Sequence, residues 1–124
     1  MHYLAGSFDF FIFHFGIVDC APRALSRAEV AVLRQLPFNV RLPRGMIRFL
    51  RWHRGVRMTR PAAYRAYAQA MRNAAGGHCL AIATAPVTTE HESRVPGIGA
   101  SVSLYNEILA DVFGDAYVAV DFDP

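Results

Sequence analysis

All thirteen cationic side chains of this chain are arginines, and ten of them fall between Val30 and Thr89, sixty residues without an Asp or Glu. They are Arg34, Arg41, Arg44, Arg48, Arg51, Arg54, Arg57, Arg60, Arg65 and Arg72. From Arg41 to Arg60 the steps are 3, 4, 3, 3, 3 and 3, so a guanidinium returns on almost every helical turn. That group is always charged, planar and forked, which suits phosphate or carboxylate recognition and stacking on aromatic rings. Codon bias in a GC-rich genome accounts for the exclusion of lysine and leaves the chemistry unchanged.

The net charge of +3 conceals a segregation. Residues 1–29 carry two Arg and three acids, residues 30–89 carry ten Arg and no acid, and residues 90–124 carry Arg94 against seven acids. The three segments therefore stand at −1, +10 and −6. A cationic face of this kind binds nucleic acid through phosphate contacts, with Trp52, Tyr64 or Tyr67 available for stacking. Its competitors are an acidic protein surface and internal neutralisation by Glu107 and Asp111.

Two helices must carry the face. At 100° per residue, Arg44, Arg48 and Arg51 fall within about 60° of one another on a helix over 44–54. Met46, Ile47, Phe49, Leu50 and His53 take the opposite side, Trp52 the border, and Gly55 the stop. A second helix follows Thr59 as cap, with Pro61 in its first turn. Tyr64, Tyr67, Ala68 and Met71 point inward, Arg65, Gln69 and Arg72 outward, and Gly76-Gly77 ends it. The predicted interface is thus Arg44, Arg48, Arg51, Arg54, Arg57, Arg60, Arg65 and Arg72 with Trp52. The pair resembles a helix-turn-helix in its glycine turn, but puts Arg51 where a small inward residue belongs and Pro61 at an apolar site.

The remaining elements read as support. Ser7 to Asp19 predicts a strand, with Phe11, Phe13, Phe15 and Ile17 on one face and Phe8, Phe10, Ile12 and His14 on the other. Apolar residues on both faces imply a central strand or one protected by dimerisation, and His14 reads as a core histidine. Ser26-Arg27-Ala28-Glu29 has the form of a capping box, opening a helix to about Gln35 with Val30, Leu33 and Leu36 inward. Phe38 to Leu42 reads as extended. Cys79 to Val87 predicts a second buried strand, Thr88 to Gly99 a polar loop, Ser101 to Phe113 a helix, and Ala116 to Phe122 a last strand. The order is β-α-α-α-β-α-β: a single α+β domain over residues 1–124, with a small three-stranded sheet and about four helices.

A second constellation is Arg94-Val95-Pro96-Gly97-Ile98-Gly99 ahead of a helix and a strand. It resembles the pyrophosphate loop of the acetyl-CoA-dependent N-acetyltransferases, Arg/Gln-x-x-Gly-x-Gly/Ala, over about thirty residues from Glu92 to Phe122. The resemblance implies that Arg94, Gly97 and Gly99 contact the cofactor through amides at a helix start, with Tyr105 or a neighbour as acid. The strand that this family places before the loop is here polar sequence.

Other chemistry is weakly encoded. His78 and Cys79 are adjacent and leave a strand on opposite faces, and no second ligand pair has zinc spacing. Glu90-His91-Glu92 reads as a solvated loop. Cys20 and Cys79 lie in apolar sequence and read as buried free thiols of a reducing compartment. The Phe-rich run is too short to span a bilayer, and no signal peptide is visible. The sequence therefore reads as a cytoplasmic, non-enzymatic binding protein with no cofactor, metal or membrane partner, with homodimerisation left open by its apolar first strand. Its partner is nucleic acid or, as for an inhibitor or adaptor from a phage or mobile element, an acidic protein.

Overall fold

A computed structural model describes residues 9–38 and 41–121. Along the chain come β1 (Phe11–His14), α1 (Ile17–Cys20), β2 (Pro22–Arg23), α2 (Arg27–Arg34) and α3 (Arg44–Arg54). β3 (Val56–Arg57), α4 (Pro61–Ala75), β4 (Cys79–Ile82) and α5 (Thr89–Arg94) follow. α6 (Ile98–Phe113), a 3-10 turn (Gly114–Ala116) and β5 (Tyr117–Val118) complete it. The class is α+β, in an order close to the predicted one. The main sheet is parallel, in the order β1-β4-β5, and a two-residue antiparallel pair joins β2 to β3.

α6 is the axis of the core. Ile98, Val102, Tyr105, Ile108, Leu109, Val112 and Phe113 are all buried along it. Across from it α4 offers Ala68 and Ala75, small enough for close approach, with Tyr64 filling the space beside them. The Tyr64 and Tyr105 rings meet edge-on at 4.6 Å, and Phe15 meets Tyr64 at 5.3 Å. The Tyr105 hydroxyl donates to the Thr59 carbonyl, so even this buried phenol has a partner. Polar burial is satisfied just past the carboxyl end of β4 too. The Asn106 side chain accepts from the Thr84 N–H and donates to the Thr84 carbonyl, both at 2.9 Å, and the Thr84 hydroxyl donates to the Phe15 carbonyl at 2.8 Å. Asn106 thus does for the end of β4 what a neighbouring strand would do.

Several expectations change. The strand expected from Ser7 is four residues long among the described ones, because Gly16 opens the short helix α1 within it. Among the described strands β4 is central and β1 lies at the edge, so of the two placements its apolar faces allowed β1 does not take the central one. His14, Phe10 and Ile12 are exposed. The first turn of α4 is capped by Arg60 rather than Thr59, which instead donates its hydroxyl to Asp19 at 3.0 Å. The expected loop from Thr88 contains α5, since the Thr88 hydroxyl accepts the His91 N–H and nucleates a turn. α6 begins three residues before Ser101, with Gly97 in the left-handed region at φ 85° as its cap. The extended reading of 38–42 falls partly outside the described residues.

α3 has the predicted bounds, with Gly55 in the left-handed conformation as its stop, but it is turned about its axis. Ile47, Leu50 and Arg51 are the half-buried side, while Met46, Phe49, Trp52 and His53 are exposed. That is roughly a quarter turn from the orientation that hydrophobicity alone selects. Neither α2 nor α3 contains a buried residue.

Candidate functional site

The capping box of α2 forms as its residues require. The Ser26 hydroxyl accepts the Glu29 N–H at 3.3 Å, and the Glu29 carboxylate accepts the Ser26 N–H at 2.7 Å. The same carboxylate receives both terminal nitrogens of Arg54, at 2.7 and 3.1 Å, and Arg54 also reaches the Ala24 carbonyl at 3.3 Å. This fork ties the C-terminus of α3 to the N-terminus of α2. The Arg54 guanidinium, then the two Ser26 bonds, hold the Glu29 carboxyl down at about 2.

Between these helices, the β2–β3 pair and the start of α4 lies an open cleft of about 900 Å³. Arg23, Arg27, Arg34, Arg54, Arg57 and Arg60 all line it, and among the described residues no Asp or Glu does. Pairing of Arg23 with Val56 and of Pro22 with Arg57 is what brings the N-terminal arginines to the others. Arg57 is fixed through its Nε, which donates to Ser101 Oγ at 3.1 Å. The side chains of Arg27, Arg34 and Arg60 make no hydrogen bond or ion pair among the described residues. The buried Nε of Arg23 has no partner, and a terminal nitrogen of that side chain reaches only the weakly accepting Met58 sulfur at 4.0 Å. A concave surface of this composition offers an anion forked donors and, outside the Arg54–Glu29 pair, positive charge with no acid partner among the described residues.

The predicted arginine set divides. Arg54, Arg57 and Arg60 enter the cleft, while Arg44, Arg48 and Trp52 stand exposed on α3. Arg51 is half-buried, with an Nε that also lacks a partner. Arg65 pairs with Asp111 at 3.0 Å, and Arg72 donates to the Val112 carbonyl, so both are engaged by α6. Part of the neutralisation expected from the acidic third therefore occurs, through Asp111. Arg23 and Arg27 lie outside the predicted stretch. Their membership follows from pairing between segments more than thirty residues apart, for which the local pattern holds no signal.

The Arg94–Gly99 loop is differently employed. The Glu92 carboxylate accepts the Gly97 N–H at 2.6 Å and the Gly99 N–H at 2.8 Å, and these bonds hold its pKa below the usual range. The amides that would cradle a pyrophosphate already hold a carboxylate of the chain itself. Arg94 pairs with Glu90 one turn away, and helix α5 precedes the loop where the acetyltransferase pattern has a strand.

Cys20 and Cys79 are buried free thiols. Burial pushes the Cys20 thiol up, against a nucleophilic role. Among the described residues no three His, Cys, Asp or Glu side chains are placed to share a metal ion, and no helix is long and apolar enough to cross a membrane. A smaller cavity of about 300 Å³ lies at the carboxyl ends of β1 and β4, lined among others by His14, Gly16, Thr84, Thr88 and His91. No protein-family model, no curated protein and no solved structure matches this chain.

Proposed function

We propose that this protein binds nucleic acid through its phosphates, with the six-arginine cleft as the principal contact surface. The observation that supports this reading most is the convergence of Arg23, Arg27, Arg34, Arg54, Arg57 and Arg60 on one cavity without a lining acid. Guanidinium–phosphate contacts release condensed counterions, so affinity falls steeply with salt. The test is fluorescence anisotropy of labelled DNA and RNA across a salt series. Wild type runs beside an Arg27→Glu/Arg34→Glu/Arg60→Glu variant, chosen because these three side chains hold nothing else in place. Expected are a steep negative slope of log affinity against log salt, and a slope shallower by about 2–3 in the variant. Absence of binding at low salt with both proteins folded would sink the reading. A saturable complex with an acidic protein, insensitive to competing polyphosphate, would replace it with the adaptor alternative.

A further inference from the structure

The quarter turn of α3 leaves its aromatic residues facing outward beside arginine. A groove of about 300 Å³ runs along that side, lined by Gly45, Arg48, Phe49, Trp52, His53 and Pro96. The Phe49 and His53 rings lie 4.3 Å apart at 44°, while Phe49 is 60% and Trp52 67% exposed. No acid lines the groove, and neither Arg44 nor Arg48 is engaged by an acid among the described residues. α3 also ends at the arginine cleft, through Arg54 and Gly55. One helix thus borders both the arginine cleft and a set of open π-faces.

Resting on the nucleic-acid reading above, we propose that the α3 groove is a base-stacking site, and that the protein selects single-stranded over duplex nucleic acid. Inside a duplex each base is covered on both faces by its neighbours, so only an unpaired nucleotide can lay a face on Trp52 or Phe49. Arg48, one turn away, supplies the cation for the adjoining phosphate or stacks on the base itself. Gly45 leaves the wall of the groove open, since a Cβ there would meet no atom within 4 Å. An apolar protein partner fits less well, because the groove and the rest of its helix carry arginine with no acid.

Trp52 is the only tryptophan of the chain, so its emission reports this groove alone. Oligo-dT and oligo-U single strands, and a duplex of equal length, would be titrated at low salt while Trp52 emission and the anisotropy of a labelled strand are followed together. Expected are strong quenching of Trp52 by the single strands, protection of Trp52 from acrylamide, and at least tenfold weaker binding of the duplex. Phe49→Ala, at an exposed position, should weaken single-strand binding by about tenfold and leave duplex binding unchanged. Anisotropy showing single-strand binding with unaltered Trp52 emission would overturn the stacking site while leaving the phosphate cleft intact. Equal affinity for duplex and single strand would do the same. Absence of any binding would overturn both readings. A concentration-dependent shift of Trp52 emission in protein alone, with sedimentation as a dimer, would reassign the face to a second copy of the chain.

Discussion

Glu92 and Glu29 each close a helix N-terminus with a carboxylate that is more acidic in the folded chain than in the unfolded one. Glu92 is held by the Gly99 and Gly97 amides, and Glu29 by Arg54 and then Ser26. For a group with a lowered folded pKa, the stabilisation is fully present above the unfolded value and is lost as pH falls through the folded one. Stability should therefore hold from neutrality down to the ordinary carboxylate range and then drop toward about pH 2. Glu92→Gln removes one of the two contributions. It should cost about 1–2 kcal/mol at neutral pH and flatten the acid limb, as read from urea midpoints at neutral pH and about pH 3. An unchanged acid limb would show that these amides do not depend on the charge. Gly99→Ala probes the same contact sterically, because its Cβ would stand 3.1 Å from Glu92 Oε2. Gly97→Ala adds backbone strain at φ 85° and should cost about 1 kcal/mol.

The helices differ in what holds them. α6 buries Ile98, Leu109 and Phe113 almost completely, whereas α2 and α3 have no fully buried residue and lean on the Ser26 box, the Arg54–Glu29 fork and the two-residue β2–β3 pair. Amide exchange should therefore be slowest in α6 and fastest in α2 and α3, opening far below the global unfolding free energy. Equal protection would mean that the arginine-bearing pair is held by more than the Ser26 box, the Arg54–Glu29 fork and the β2–β3 pair. Leu109→Ala should cost about 2–5 kcal/mol, and Asn106→Ala about 2 kcal/mol by orphaning both backbone groups of Thr84. The same contrast explains what the sequence discloses. α3 and the α2 cap have local causes, namely Gly55 and a Ser and Glu three residues apart, and both are legible. α6 is legible from its apolar stripe. Which side of α3 packs, which strand is central, and that Arg23 and Arg27 join the cleft depend on pairings distant in sequence. No window of local periodicity contains them. In the sequence before Ser101 the Gly-x-Gly spacing is visible, but Glu92, five and seven residues upstream of the two glycines, is what fills it.

As a whole, the molecule places its positive charge where self-repulsion opposes folding. The Arg27, Arg34 and Arg60 side chains share the cleft with no hydrogen-bond or ion-pair partner among the described residues, and of the cleft arginines Glu29 answers Arg54 alone. Inorganic polyphosphate should then raise the melting temperature more than chloride at equal ionic strength. Saturation at a hundred times the dissociation constant is worth about 2.7 kcal/mol. Equal effects of the two salts would indicate general screening rather than a site. The β1–β4 register, in which Phe11 lies opposite Cys79 and His14 opposite Ile82, has a consequence for how the chain is made. β1 leaves the ribosome with its Phe-rich edge unpaired, and its partner strand is not yet synthesised until about seventy further residues have followed. Closing so long a loop is slow, and an apolar edge left open meanwhile invites pairing with a neighbouring nascent chain. The vulnerable period of this protein is thus its own translation, when a holdase chaperone on the emerging N-terminal segment would do what β4 does afterwards.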